Sequence, residues 1–369
     1  LSQQTDDLRH YGMSKEGVIA RQLMLGVVQT ADGLPLYHEV FDGNTAEVTT
    51  LKPTIEKLLA RFPVKRMVVV ADRGLLSQDN LAELQAITLP GGAPLEFILA
   101  VPGRRYGEVA TVLAPLQAEQ LASASAEIQT ETQWQDLRLI VAHNPDTAKA
   151  QTAARRSKIA ELEQQAAQWV SKLDGQDAGQ SQRGRKLSDG GVRAKFYRAV
   201  CEAHLTRIIR VDLKSEQFTY SIDEAAQQQA ELMDGKLLLL TNTPELSAAE
   251  VVQRYKSLAD IERGFRVLKS EIEIGPVHHR LPQRIRAHAA ICFIALIMYR
   301  VMRQRLHAVQ ADTSPERALD QLRRIQHHRV NLNHTQPIAG LSTTSKEQHA
   351  ILSALKLAKP QLPEQLSLL

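Results

Sequence analysis

A continuous apolar run that ends in an acidic residue is the feature that most limits how this chain folds. Residues Arg66–Gly74 read RMVVVADRG, and Asp72 follows the run directly. A strand whose consecutive residues are all apolar is buried on both faces, as in a sheet covered by helices on both sides. We therefore predict an α/β protein in which this strand presents Asp72 at its C-terminal end, where sites in such sheets form. The alternative is that Asp72 only caps the next helix, which Ser77 is also able to do.

The segments around this strand predict the rest of the same sheet. Two strands are joined by the turn Ala31-Asp32-Gly33, a hairpin signal, and a helix follows in which Pro53 fits only in the first turn or at a kink. The predicted order is strand, strand, helix, strand, helix and strand, over Arg21–Thr30, Leu34–Phe41, Thr45–Arg61, Arg66–Ala71, Ser77–Gln85 and Phe97–Val101. From Leu237 another apolar run resumes the sheet.

The middle of the chain, about 105–232, has a different pattern. We predict strands over Thr132–Val141, Cys201–Asp212 and Glu216–Ile222, a helix over Ala148–Leu173, and a mobile loop over Asp174–Gly191. The helix has apolar residues at heptad spacing over barely three heptads, which favours a packing helix over a dimerising coiled coil. Trp134 and Trp169 lie in apolar patterns, which favours core packing over stacking on an extruded base.

A second acidic residue lies in Tyr255–Lys269, which reads YKSLADIERGFRVLK. Tyr255, Glu262 and Lys269 recur at a spacing of seven, so one helix places all three in a row beside an apolar stripe. A carboxylate flanked by a phenol and an amine suits a metal-binding acid that meets a phosphodiester. The alternative is an amphipathic helix with charges on its solvent side. Ser247 and Glu250 form a capping-box pattern at its start.

This segment resembles the Y-x2-R-x3-E-x6-K signature of DDE transposases of bacterial insertion sequences. Tyr255, Glu262 and Lys269 match the signature. Leu258 stands at the position of its arginine, and Arg263 and Arg266 are the candidates to replace that phosphate contact.

Other blocks resemble the same family in the same order. The strand-end motif D-R-G at Asp72 matches the second acid of these transposases, and the resemblance covers about 1–110 and 232–310. The further matching blocks are YGMSKEG at Tyr11–Gly17, FDGNTAEVTTL at Phe41–Leu51 and IGPVHHRLPQRIRAHAAICFIAL at Ile274–Leu296.

The resemblance implies a ribonuclease-H-like mixed sheet flanked by helices and interrupted by a mixed β-rich and helical insertion. We expect residues 1–104 and 233–310 to form the catalytic domain, 105–232 the insertion, and 311–369 a C-terminal helical region and tail. Such domains have three antiparallel strands before the first helix, and only two are visible here. We expect the missing strand, which carries the first catalytic Asp in the family, just upstream of Leu1. Activity of this stretch alone depends on that acid.

The resemblance also implies a polynucleotidyl transferase that cleaves DNA and transfers strands at insertion-sequence ends. Asp72 and Glu262 would hold Mg²⁺, or alternatively Mn²⁺, while Tyr255, Lys269, Arg263 and Arg266 would bind DNA. The implied partners are double-stranded transposon ends and target DNA, with a homodimer in the complex, in the bacterial cytoplasm and on the nucleoid when bound. A catalytically silent DNA-binding remnant and a metal-dependent nuclease of the same fold are the alternatives, since fold analogy does not separate them.

Composition agrees with an intracellular DNA-acting enzyme. The net charge is only +4, but Arg254–Arg329 holds fifteen Lys or Arg against seven Asp or Glu. A second basic cluster lies at Arg183, Arg185, Lys186, Arg193, Lys195 and Arg198. Such residues contact phosphate, although they also serve solubility. Two cysteines are too few for a disulfide framework. The apolar run Ala287–Tyr299 is too short to span a bilayer and predicts a core helix, so we expect no membrane association.

Overall fold

The structure, a computed structural model, describes residues 8–13, 19–62, 64–71, 78–179, 186–330 and 338–361. The chain divides into two compact units. The first combines Leu1–Pro63 with Lys256–Leu369, and the second is Val64–Tyr255. The first unit is therefore assembled from both ends of the chain, whereas the second is one continuous stretch.

The regular elements are numbered along the chain. The strands are β1 (His10–Met13), β2 (Ile19–Gln29), β3 (Pro35–Asp42), β4 (Val68–Ala71), β5 (Glu96–Ala100), β6 (Ile128–Trp134), β7 (Leu137–His143), β8 (Ile209–Val211), β9 (Tyr220–Ile222), β10 (Lys236–Thr241), β11 (His327–Val330) and β12 (Ile338–Leu341). The α-helices are α1 (Leu51–Arg61), α2 (Gln78–Gln85), α3 (Tyr106–Leu116), α4 (Pro145–Asp177), α5 (Asp189–Glu202), α6 (Glu224–Met233), α7 (Ala248–Lys256), α8 (Ala259–Ser270), α9 (Pro282–Ala308), α10 (Pro315–Arg323) and α11 (Lys346–Ala354).

The first unit contains a three-stranded antiparallel sheet with β2 in the middle. β2 and β3 form the predicted hairpin, and Gly33 has the left-handed backbone (φ 78°) that its turn requires. The prediction that only two strands precede the first helix is wrong, because His10–Met13 pairs with β2 as a third strand. Its four residues, HYGM, carry too little apolar pattern to be recognised. Pro53 lies in the first turn of α1, as predicted.

Helices α8 and α9 cover one face of this sheet. Ile285 of α9 is fully buried against Val40 of β3. Further along α9, the ring of Phe293 stacks on His38 of β3 with the ring centroids 4.5 Å apart. A neighbouring cluster joins α8, α9 and β2 through Val267, Leu268, Cys292, Leu296, Leu25 and Val27. Leu25 and Val27 are two residues apart, so they point to the same face of the strand.

Helix α9 is the one helix among the described residues that is long and apolar enough to cross a membrane. The prediction that the apolar run is too short to span a bilayer considered only Ala287–Tyr299. The helix that contains this run spans 27 residues. The predicted core helix is confirmed for the face that bears Ile285 and Phe293, whereas Ile291, Ile294 and Met298 are exposed. A single such helix is weak evidence for a membrane span.

The second unit is built on a five-stranded mixed sheet in the order β4-β5-β10-β7-β6. β4 and β5 are parallel, and the remaining neighbours are antiparallel. Phe97, Ile98, Leu99 and Ala100 are all fully buried, so both faces of β5 are covered. This explains why the strands read as continuous apolar runs. The predicted strands at Arg66–Ala71, Phe97–Val101 and Leu237 are thereby confirmed.

A separate cluster in the second unit packs α4 and α5 against β8, β9 and α6. Phe196 of α5 lies at its centre and makes edge contacts with Trp169 and Phe218. Ile159 and Leu162 of α4 are buried in the same cluster. The predictions of a packing helix over Ala148–Leu173 and of a core position for Trp169 are therefore confirmed.

Three predictions in the middle segment are corrected. Thr132–Val141 is not one strand, because Gln135 and Asp136 form a tight turn between β6 and β7 with positive φ angles of 52° and 58°. Most of Cys201–Asp212 lies outside a strand, since only Ile209–Val211 is extended. The predicted loop Asp174–Gly191 begins within α4 and ends within α5. The hairpin β6-β7 also extends the sheet of β5 and β10, although both strands fall within the predicted insertion.

Candidate active site

The segment that carries Glu262 is two helices and not one. α7 ends at Lys256, and α8 begins at Ala259. Between them the hydrogen bonds tighten, because the amide of Asp260 donates to the carbonyl of Ser257, only three residues earlier. The prediction of one continuous row of Tyr255, Glu262 and Lys269 is therefore wrong. Tyr255 also belongs to the second unit, while Glu262 and Lys269 belong to the first.

The start of α7 is as predicted. The hydroxyl of Ser247 accepts from the amide of Glu250, and the Glu250 carboxylate accepts from the amide of Ser247. These two bonds make a complete capping box, which satisfies amides that have no partner within the helix.

Helix α8 has one buried face and one exposed face. Gly264, Val267 and Leu268 are buried in the first unit. The opposite face exposes three predicted site residues of this helix, Glu262, Arg266 and Lys269. Glu262 and Lys269 are two turns apart on this face, as a helix of 3.6 residues per turn requires. Arg263 is also exposed, but it lies to one side of this face and pairs with Asp260. The structure therefore brings the predicted acid and two predicted phosphate-binding cations onto one face.

The buried side chain of Arg300, on α9, fixes the position of α8. Its side chain is only 5% exposed, and it donates to the main-chain carbonyl of Asp260 while lying 3.8 Å from the Asp260 carboxylate. A β-carbon at Gly264 would stand 3.0 Å from the Arg300 Nη2 atom, so glycine leaves room for the guanidinium. Burial lowers the pKa of Arg300, and Asp260 opposes that effect.

Sequence reasoning missed Asp260 and Arg300 as positioning residues. The signal was present, because Arg300 interrupts the apolar face of α9 and a buried arginine needs a partner. Arg263 and Arg303 also approach the Asp260 carboxylate, at 2.7 Å and 3.7 Å. The Asp260 carboxylate thus connects α8 to α9 through two guanidinium groups, those of Arg300 and Arg303, and pairs with Arg263 within α8.

Tyr255 packs against the sheet of the second unit. Its ring is half-buried beside Val251 and Val252 of α7 and Ile98 of β5. This packing is a structural role that the resemblance alone did not predict, and its DNA contact stays a prediction.

Asp72 lies outside the described residues. The strand that precedes it is described up to Ala71, which is 3% exposed. The predicted strand is confirmed, although Val68, Val69 and Val70 are only partly buried because β4 lies at the edge of the sheet. The convergence of Asp72 with Glu262 stays a prediction. In the described ranges no three His, Cys, Asp or Glu side chains come together as a metal site would require. Glu262 fits a divalent cation in chemistry, since carboxylate oxygen is a ligand that Mg²⁺ prefers.

The second basic cluster is smaller than predicted. Arg193 has a structural role, because its guanidinium donates hydrogen bonds to main-chain carbonyls that include those of Leu213 and Gln217. Lys186, Lys195 and Arg198 are exposed. Arg183 and Arg185 fall outside the described part of the chain.

Comparison with known protein families gives a match over most of the chain. A family model for the transposase DDE domain matches residues 9–298, which is more than half of the chain. The chain belongs to the DDE transposase family, and the predicted α/β class with a ribonuclease-H-like mixed sheet is confirmed. Members of this family are in general polynucleotidyl transferases that act on DNA, and the family generally uses divalent metal ions. Neither the curated proteins nor the solved structures that were searched contain a match.

Proposed function

We propose that this transposase cleaves DNA and transfers strands at the ends of a bacterial insertion sequence in a Mg²⁺-dependent reaction. One observation carries the proposal. The signature acid Glu262 stands on the exposed face of a helix whose other face is fixed in a core, with Arg266 and Lys269 on the same face. Cations beside a metal-binding acid would hold the phosphates of the DNA strand on which that acid acts.

The residues divide the chemistry between them. Asp72 and Glu262 would hold the divalent ions, with Mn²⁺ as a substitute for Mg²⁺. Bound ions of this kind activate the attacking oxygen and stabilise the leaving oxygen of an in-line displacement at phosphorus. Lys269, Arg263 and Arg266 would bind the phosphates that flank the scissile bond, and Tyr255 would contact a terminal phosphate. Arg300 and Asp260 would fix the direction in which α8 presents Glu262.

The substrates in this proposal are double-stranded transposon ends and target DNA, bound by a homodimer. The protein would act in the bacterial cytoplasm and associate with the nucleoid when bound. The excess of basic residues over Arg254–Arg329 supports phosphate binding, which supplies most of the affinity in sequence-independent DNA binding.

The products of one incubation test the proposal. The protein is mixed with labelled DNA that bears the element's ends and a circular target, with Mg²⁺ or with EDTA. Joined end–target products that require Mg²⁺ support a transposase. Cut DNA without any joined product would favour a nuclease of the same fold. DNA binding without cutting, both by this chain and by a chain extended upstream of Leu1 to supply the first acid, would favour a silent remnant.

A further inference from the structure

A two-stranded β-ribbon follows α10 in the first unit. Among the described strands, β11 and β12 pair only with each other, and they run antiparallel with His327 opposite Leu341. The preceding helix α10 packs on α9 through a cluster that includes Leu306 and Ala318, so the ribbon is attached to a fixed frame. The ribbon lies beyond residues 9–298, which the family model matches, so family membership assigns it no role.

The segment that forms this ribbon is basic throughout. Residues 321–346 contain four Arg or Lys and three His, and they contain no Asp or Glu. The nearest acid on either side is neutralised by an arginine, in the pairs Asp320–Arg324 at 2.8 Å and Glu347–Arg317 at 3.0 Å. Arg323 and Arg329 are exposed and take part in no ion pair within the described ranges. Two guanidinium groups are therefore available to an external anion.

The side chains of β11 are exposed on both faces of the ribbon. Successive side chains of a strand point to opposite faces, yet His327, His328 and Arg329 are all exposed. An isolated two-stranded sheet is only marginally stable in water, and these three side chains add no buried surface to it. Polar contacts hold its base instead, because the Ser342 hydroxyl accepts from the amide of Gln326 and lies 3.1 Å from the His328 Nε2 atom. The ribbon is thus fixed while its basic side chains stay in solvent.

The second strand leaves space beside these basic side chains. Gly340 is directly opposite His328, and Ala339 is directly opposite Arg329. A β-carbon at Gly340 would meet no atom of the described chain within 4 Å, and the backbone there has no positive φ that would require glycine. Glycine inside a strand often marks a place where another backbone or a ligand approaches closely. This observation is independent of the charge and also indicates a binding surface.

We infer that the β11–β12 ribbon binds the backbone of double-stranded DNA, with Arg323 and Arg329 contacting phosphates and Gly340 leaving room for the DNA strand. The choice of DNA as the partner rests on the proposed function. The shape of the element agrees with it, because a major groove about 12 Å wide admits a two-stranded β-ribbon. The ribbon would be a contact separate from the exposed face of α8.

The composition of the ribbon favours duplex DNA over two other partners. The core of a protein–protein interface is rich in aromatic residues and poor in charge, whereas residues 321–346 are basic and contain no Phe, Tyr or Trp. Single-stranded nucleic acid is bound in large part by stacking of its bases on aromatic side chains, which this segment lacks. Binding to the backbone of a duplex needs cations and a matching shape, and the ribbon has both.

Fluorescence anisotropy of the full chain with a labelled duplex of about 20 base pairs tests this inference over a salt series. EDTA is present, so binding is measured without strand cleavage. The double variant Arg323→Gln with Arg329→Gln removes both proposed contacts. We expect about tenfold weaker duplex binding, and a slope of log affinity against log salt that is flatter by about two. Arg317→Gln is the control, because it removes an exposed arginine of the same unit that is already paired with Glu347, and it should leave the slope unchanged.

A second variant tests the close approach without changing the charge. Gly340→Val places a side chain that suits a strand where no atom of the described chain obstructs it, so the ribbon should still form. We expect weaker duplex binding with a nearly unchanged salt slope. The arginine variant decides the inference, and Gly340→Val decides it if the arginine variant does not fold.

Competition with an unlabelled single-stranded oligonucleotide and with polyglutamate identifies the class of partner. A loss that is largest for the duplex supports the inference. A larger loss for polyglutamate or for the single strand would overturn it, and so would wild-type duplex affinity and slope in the arginine variant. Ribbon-dependent duplex binding by a chain that joins no DNA ends would contradict the proposed function and keep this inference. Strand transfer with normal duplex binding by the arginine variant would do the reverse.

Discussion

Arg300 lies beneath the first turn of the helix that bears Glu262 and donates a hydrogen bond to the main-chain carbonyl of Asp260. The two residues are 40 positions apart in the chain, so this contact fixes α8 against α9. Because Glu262 is only two residues after Asp260, the contact determines where the exposed face of α8 points. It also explains why glycine occupies position 264, where a β-carbon would crowd the guanidinium.

Replacing Arg300 should therefore destabilise the first unit. Arg300→Met removes the buried side-chain hydrogen bond to the carbonyl of Asp260, and we expect a loss of about 1–3 kcal/mol in the free energy of unfolding. Urea unfolding measures this loss. Arg303→Met is the matched control, since its side chain is 39% exposed and 3.7 Å from the same carboxylate. The control should cost less than about 1 kcal/mol. Equal losses in the free energy of unfolding for the two variants would show that Arg300 stabilises the first unit no more than Arg303 does.

Replacing Lys236 should stabilise the second unit in a pH-dependent way. Burial lowers the pKa of Lys236 from 10.5 to about 8, so the unfolded chain binds more protons than the folded chain between these values. The cost of burying the charged amine is fully present below about pH 8 and disappears above 10.5. Lys236→Met should raise the free energy of unfolding most at about pH 7 and least near pH 10.5. Chemical denaturation at both pH values checks this, and a gain independent of pH would contradict it.

DNA affinity should depend steeply on salt, and Lys269 should contribute one contact. The logarithm of the association constant should fall linearly with the logarithm of salt concentration, with a slope of about −0.9 per phosphate contact. Lys269→Ala should weaken binding to all sequences alike and flatten this slope by about one. Fluorescence anisotropy over a salt series measures both values. Lys158→Ala, at an exposed lysine paired with Glu161, should leave the slope unchanged. An unchanged slope for Lys269→Ala would place Lys269 away from the DNA.

The buried parts of the fold were the parts that sequence patterns predicted well. β5 and β10 have continuous apolar runs because both faces of their sheet are covered, and α4 has an apolar repeat because one face packs on α5. The turn at Gln135-Asp136 was missed because it lacks the glycine that usually marks a turn with positive φ angles. Short edge strands such as β1 carry no pattern of their own and depend on pairing with a neighbour.

The candidate site was predictable only in part, because helical periodicity predicts which residues are exposed but not where a helix breaks or which distant residues meet. The exposure of Glu262, Arg263, Arg266 and Lys269 follows from helical periodicity, which the sequence contains. Helical periodicity does not predict the break after Lys256. The apolar spacing continues across Ser257 and Leu258, although the backbone hydrogen bonds there shorten to a three-residue spacing. The contact between Arg300 and Asp260 depends on the packing of two helices, so the sequence signals a buried arginine but does not identify its partner.

The most direct test of the account measures strand transfer and DNA affinity for Glu262→Gln beside Glu271→Gln, an exposed acid just after the same helix. Both variants are made in a chain extended upstream of Leu1, so that the first acid expected there is present. We predict that Glu262→Gln loses more than about 100-fold of Mg²⁺-dependent strand transfer, because a metal-binding charge is gone. Its folding should be unchanged and its DNA affinity equal or higher, since a carboxylate repels phosphate. Glu271→Gln should keep its activity. Full strand transfer by Glu262→Gln would show that Glu262 is only a charge on the solvent side of an amphipathic helix. Its failure to fold would show that Glu262 is a member of a structural ion pair, and either result would contradict the account.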